Sequence, residues 1–276
     1  MNKNLTAKNK RTVSPTSVLA SRLRNLRQNI DMGLCTSKSI SEELSMLIPL
    51  ADGLDEYIEN HSSVESVGMK MINVTTMSHD WDKAVHEKKT QGILVSRMMS
   101  SPVSAQFLKM LVNITKSKII LEIGLFTGYT ALAMAEGTEE DGRVISCEID
   151  PYCASFTNNL LLNCKHGEKV EIRVGNALEI MNDLRDEKFK FDFVFIDADK
   201  TEYMLYLNSL IDLNLVDESS LLCFDNVFLK GSVFSDEKYE KKSTQTVRIL
   251  NTYLAGPKFF TTMIPLRDGM SLCKLK

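Results

Sequence analysis

Hydrophobic and polar positions change period once along this chain. Between residues 39 and 114 apolar residues recur at helical spacing, with Leu44, Leu47 and Ile48 on one face of an early segment and Phe107, Leu108, Leu111 and Val112 on one face of the last. A Ser-Pro break, residues 98–103, precedes that last helix. Beyond it, short apolar or alternating runs at 119–123, 144–149, 170–174, 193–196 and 221–224 are separated by helical or turn-rich stretches. This alternation predicts a parallel sheet covered by helices, because a strand buried on both faces reads as a nearly continuous apolar run. Residues 259–264 and 270–275 flank a tight Arg267-Asp268-Gly269 turn and predict a hairpin that adds antiparallel strands at the sheet edge. There is no internal repeat.

Composition narrows the classes. A chain of 276 residues, 43% hydrophobic and 25% charged, can bury one substantial core, so one α/β domain with an N-terminal addition is expected. Its net charge of -3 argues against nucleic acid as a partner, which needs surplus Lys and Arg on one face. No apolar run approaches the roughly twenty residues of a membrane span. Six cysteines without a C-x-x-C pair predict free thiols in a reducing compartment, and four unclustered histidines disfavour zinc.

Charge is distributed unevenly. The first thirty residues carry Lys3, Lys8, Lys10, Arg11, Arg22, Arg24 and Arg27 and no acid, and Leu19, Leu23, Leu26 and Ile30 recur at helical spacing among the later arginines. Two readings compete: an amphipathic mitochondrial leader, or a basic tail running into a surface helix of a cytoplasmic protein. The expected division is a basic extension over 1–38 and an α/β domain over 39–276, helical to about residue 115.

Ligands of open α/β sheets sit beyond the carboxyl ends of the strands. After the first strand, Gly124 and Gly128 make a turn spaced G-x-x-x-G, without the G-x-G-x-x-G of a diphosphate cradle, and Glu122 stands just before it. A carboxylate there would repel a diphosphate and suits an ammonium or hydroxyl. Glu148, ending the second strand, is placed to accept from two ribose hydroxyls, and Gly175-Asn176-Ala177 after the third can lie along an adenine edge. A plain βαβ turn with a solvated glutamate is the competing reading.

Asp197, Asp199, Asp225 and Asn226 are hard oxygen donors at the ends of two strands expected to be neighbours, a set that suits Mg²⁺, Mn²⁺ or Ca²⁺. Lys200, three residues beyond Asp197, reaches the same pocket if the loop turns helically. With a reference pKa of about 10.4 it would need a neighbouring cation and partial burial to act as a base. The alternative makes Asp197 and Asp199 helix caps and pairs Lys200 with Glu202 or Asp199 at the surface.

At these residues the chain resembles the cation-dependent O-methyltransferases, the group that contains caffeoyl-coenzyme A and catechol O-methyltransferases, and the former more closely. LEIGLFTGYT, DGRVISCEID, GNALEIM, FDFVFIDADKTEY, FDNVFLKGSV and IPLRDGMSLCKL follow in family order from about Met98 to the end. The resemblance implies a Rossmann-like class I S-adenosylmethionine-dependent methyltransferase fold: a mostly parallel seven-stranded sheet, a C-terminal antiparallel hairpin and N-terminal helices. It implies Asp197, Asp225 and Asn226 as metal ligands and Lys200 as the base. It places Glu122 and Asp199 at the methionine portion of S-adenosylmethionine, Gly124 and Thr130 at the turn around it, Glu148 at the ribose, Ala177 at the adenine, Ser100 at a backbone contact to the cofactor and Met98 in the methyl-transfer pocket. It further implies a small phenolic acceptor with vicinal hydroxyls, such as a caffeoyl thioester, flavonoid or small catechol, and a homodimer.

Several positions depart from the family pattern. Ser104 and Ala105 replace an acidic residue and a glycine, Ser219-Ser220 replaces Gly-Gly as a tolerated turn change, and Lys230 takes a loop position that often carries a polar substrate contact. Lys230 is either an attractor of an anionic acceptor or a solvated loop lysine. Two other classes stand against this reading: a nicotinamide dehydrogenase, which lacks its diphosphate turn here, and a catalytically inactive methyltransferase-fold binding protein.

Overall fold

The computed structural model describes residues 14–235 and 241–276. Its described residues fall into two compact units, one within 1–63 and one within 64–276. The basic residues Lys3, Lys8, Lys10 and Arg11 lie outside the described residues, as does the 236–240 part of the loop after the fifth strand.

The first unit is a helical hairpin, α1 (Pro15–Asp31) and α2 (Ser37–Asn60). Both helices start in a capping box, Ser14 with Ser17 and Thr36 with Ser39, which satisfies amide donors that have no intrahelical partner. Arg22 Nε donates to Glu43 Oε1 at 2.8 Å across the hairpin. Of the expected apolar face of α2, Leu47 is buried whereas Leu44 and Ile48 stay exposed.

The second unit contains α3 (Val67–Ser78), α4 (Trp81–His86), α5 (Pro102–Thr115), β1 (Ile119–Ile123), α6 (Tyr129–Gly137), β2 (Arg143–Glu148), α7 (Pro151–Leu161), β3 (Val170–Val174), α8 (Ala177–Asp186), β4 (Phe193–Ile196), α9 (Tyr203–Asp212), β5 (Leu221–Asp225), α10 (Lys242–Leu254), β6 (Phe259–Ile264) and β7 (Met270–Leu275). The seven strands form one sheet in the order β3-β2-β1-β4-β5-β7-β6. The first five are parallel, and β7 is antiparallel to both β5 and β6.

Strand alternation sorts the core into two layers. Leu121, Ile123, Val194, Ile196, Leu222 and Phe224 meet α8, α9 and α10 on one face, while Ile120, Val144, Phe193, Phe195 and Cys223 meet α5 and α6 on the other. The Ser219-Ser220 turn is knitted by hydroxyls: Ser220 Oγ donates to Phe191 O at 2.7 Å, and Ser219 donates its N–H and its hydroxyl to Asp217 Oδ1. All six cysteines are free. Among the described residues no helix is long and apolar enough to cross a membrane.

Candidate active site

The order β1-β4-β5 brings the ends of strands distant in sequence side by side. Gly124, just past β1, has φ +101, and a Cβ on it would lie 2.3 Å from the carbonyl oxygen of Asp197, just past β4. The missing side chain therefore makes room first for the protein's own neighbouring strand. Asp197 N–H donates to Ile123 O at 2.9 Å, and Gly124 N–H to Cys147 O at 3.1 Å. Gly128 caps α6 in the left-handed conformation, and a Cβ on it would lie 2.5 Å from the Thr157 side chain of α7.

Glu122 is enclosed rather than open. It is 0% exposed, and its two oxygens accept the hydroxyls of Thr130 and Ser146, each at 2.6 Å. Ser146 is its register partner on β2, and Thr130 is a helical residue of α6. Burial, only partly offset by these hydrogen bonds, pushes the Glu122 carboxyl up to about 8. Glu148 accepts the Phe126 N–H at 2.8 Å and the Asp150 N–H at 2.8 Å, one on each oxygen. Burial raises its pKa above the ordinary range. In the turn itself the Thr127 hydroxyl is buried without a hydrogen-bond partner among the described residues.

Three supports of this turn were not legible in the sequence. Asp150 Oδ2 accepts the Gln91 N–H at 2.7 Å while its other oxygen accepts from Tyr152 N, which ties the segment before α5 to the end of β2. Tyr129 donates its hydroxyl to Glu65, which also accepts from Asn73. Phe126, at positive φ, stands 5.0 Å from Trp81 in an aromatic cluster with His79, Tyr152 and Phe156. The aspartate in C-E-I-D and the single tryptophan were the available signals. Neither has a local pattern that names its partner.

At the ends of β4 and β5, Lys200 Nζ pairs with Asp197 Oδ1, and not with Glu202 or Asp199. Glu202 accepts the Tyr206 hydroxyl instead, and Asp199 is exposed and accepts the Thr201 N–H at 2.8 Å. Asp225 is 5% exposed. Burial first, and the charge of Asp197 second, push it up to about 7. Asn226, at φ 55, donates its N–H to Asp225 Oδ1 at 2.8 Å. Tyr203, fully buried, donates its hydroxyl to Asp225 O at 3.0 Å and lies 3.2 Å from Ile196 O, so it staples the two strand ends together. Among the described residues no three His, Cys, Asp or Glu side chains converge as a metal site. The structure brings Lys200 and Asp225 beside Asp197, with Asn226 next in the chain after Asp225, and the one ammonium offsets one of the two carboxylate charges. Met98 ends a short helical turn before α5 and is half-exposed, Ser100 follows it, and Ala177 is the first residue of α8, where the Asn176 side chain caps the helix.

Known proteins share this architecture. The family model for O-methyltransferase matches residues 73–276. A caffeoyl-CoA O-methyltransferase from Petroselinum crispum is 32% identical over 235 residues, covering 81% of this chain and 91% of that protein. One from Medicago sativa is 31% identical, covering 81% and 89%. Among solved structures, an O-methyltransferase from Bacillus cereus in complex with SAH superposes with TM-score 0.68 at 24% identity, covering 81% of this chain and 97% of the other. The O-methyltransferase TomG from Streptomyces achromogenes in complex with SAM gives TM-score 0.68 at 24% identity, covering 81% and 96%.

Proposed function

The chain belongs to the O-methyltransferase family, and from that premise we propose that it transfers the methyl group of S-adenosylmethionine to a hydroxyl of a vicinal-diol aromatic acceptor with the help of a divalent cation. The single observation that carries this reading is the contact between two sites: the Gly124 turn rests directly on Asp197, whose charge acts on the buried Asp225. Methyl donor and acceptor would thus meet at one point on the sheet.

The donor pocket fits a nucleoside with a charged tail. Glu148, fixed by backbone amides at the end of β2, presents its carboxylate to ribose hydroxyls, the buried Thr127 hydroxyl is unpartnered among the described residues, and Ala177 offers a small surface for a base. Asp199 is exposed and can receive an ammonium group. Glu122 is a supporting residue that sets the carboxyl-end geometry of β1 and the start of α6 through Ser146 and Thr130. The structures of the Bacillus and Streptomyces proteins, holding SAH and SAM, support this donor.

Asp197, Asp225 and Asn226 supply the hard oxygens that Mg²⁺, Mn²⁺ or Ca²⁺ prefers, and the like charges of Asp197 and Asp225 give such an ion a reason to bind. When bound, S-adenosylmethionine supplies an electrophilic methyl on sulfur, and the cation favours the ionised form of an acceptor hydroxyl. Lys200, held beside Asp197, is placed to exchange a proton with that hydroxyl. Acceleration would come chiefly from alignment and from the fixed charges of this cluster.

The test is a methyl-transfer screen over vicinal diols with and without a chelator, paired with calorimetry of S-adenosylmethionine binding. Asp197→Ala and Asn226→Ala should abolish turnover and leave donor affinity within about threefold, the signature of a lost transition-state interaction. Equal loss of both would reject the assignment.

A further inference from the structure

The segment after β5 is held from outside the parallel sheet. Its amides go to the turn between β6 and β7: Val227 N–H donates to Gly269 O at 3.1 Å, Phe228 N–H to Asp268 O at 2.8 Å, and Lys230 N–H to Asp268 Oδ1 at 2.5 Å. Its carbonyls go to α10: Asn251 Nδ2 donates to Val227 O at 2.9 Å, and Arg248 donates to Ser232 O, Val233 O and Ser235 O at 2.8–2.9 Å. Within it Asn226, Leu229 and Lys230 have φ of 55, 44 and 54. Asparagine tolerates the left-handed region, but leucine and lysine adopt it only where their surroundings impose it.

We propose that Asp268 is a positioning residue for the acceptor end of the site, its carboxylate and carbonyl clamping residues 228–230 in a left-handed turn that sets where Asn226 and the Lys230 side chain stand. Asn226 begins that turn, and Leu229 N–H donates back to Asn226 O at 3.2 Å, so a release at Lys230 is felt one hydrogen bond away from the amide ligand. The geometry, rather than the charge, of Asp268 does this, since it acts on backbone N–H groups. The consequence for the acceptor rests on the proposed function; the clamp itself does not.

Hydrogen exchange on the full-length, ligand-free protein tests the clamp. In Asp268→Ala the amide of Lys230, which loses its side-chain acceptor, should exchange about tenfold faster, while that of Phe228, held by the Asp268 carbonyl, and those of β5 keep wild-type protection. Asp268→Asn, which retains the Oδ1 acceptor, should restore protection. Asp268→Glu, which keeps the charge but displaces the carboxylate, should behave like the alanine variant and replaces it if that variant does not fold. In turnover, Asp268→Ala and Asp268→Glu should raise KM for the acceptor about tenfold, with donor affinity within about twofold and recovery in Asp268→Asn. Unchanged exchange at Lys230 in both Asp268→Ala and Asp268→Glu, or an equal loss of donor and acceptor affinity, overturns the proposal. If the wild-type protein methylates no vicinal diol, the proposed function fails, and the clamp stands or falls on the exchange result.

Discussion

Gly124 and Asp197 touch through their backbones: the position a Cβ would take on Gly124 is 2.3 Å from the Asp197 carbonyl oxygen. The turn that would receive the methyl donor and the residue that would hold the cation therefore pack directly against each other. Gly124→Ala combines that clash with a φ of +101, which side chains with a Cβ rarely adopt. It should destabilise the protein by roughly 3 kcal/mol or more, read as a lower urea midpoint, since strain and overpacking both contribute.

Asp225 gives a prediction of opposite sign. With its folded pKa raised to about 7 against an ordinary 3.8, the folded state holds this proton more tightly than the unfolded chain, so its contribution to stability falls as pH rises from about 4 to about 7. Above that window the buried charge is a cost. Asp225→Asn should therefore raise the stability of the ligand-free protein at pH 8, on the order of 1–3 kcal/mol, while abolishing methyl transfer. Denaturant melts beside turnover assays check both halves.

Glu122 follows the same sign over a wider range. Its folded pKa of about 8 against 4.5 means stability declines between those values, by up to about 1.4 kcal/mol per pH unit for one proton. Glu122→Gln should remove one proton's worth of that slope and leave the part due to Asp225. Stability measured at several pH values from 5 to 8.5 would reveal it, and an unaltered slope would show that Glu122 is ionised in its enclosure.

Trp81 is the single tryptophan of the chain and lies 5.0 Å from Phe126, whose N–H is held by Glu148. Ligand binding at Glu148 should shift Trp81 emission, and Phe126→Ala should weaken the response. A donor that binds by calorimetry without altering emission would uncouple the aromatic cluster from the site.

Five of the six cysteines are buried, and burial raises Cys147 and Cys273 to about 12. A protonated, enclosed thiol reacts slowly with alkylating reagents. Mass spectrometry after brief native alkylation at pH 8 should find the label at Cys35 and, after unfolding, at all six.

Every strand of the sheet could be read from the chain: β1, β4 and β5, buried on both faces, are nearly continuous apolar runs, the edge strands β3 and β6 are partly exposed and mix polar with apolar residues, and helices keep their own period between them. The chemical residues were also legible as types and positions: Glu148, Asp197, Lys200, Asp225 and Asn226 all stand at carboxyl ends of strands, where short polar segments interrupt the apolar runs. Tertiary structure decided what those residues do to each other. Strand order placed Gly124 on Asp197 and Asp225 within the field of Asp197. Burial enclosed Glu122 behind Ser146 and Thr130, and Lys200 chose Asp197 over nearer partners in the chain. The clamp of Asp268 on Lys230, the tie from Asp150 to Gln91 and the hold of Arg248 on residues 232–235 join segments far apart in sequence. Periodicity records which face of an element is buried, a local property; which element covers it depends on chain crossings and on the competition of polar groups for partners once water is gone, and no local pattern carries that information.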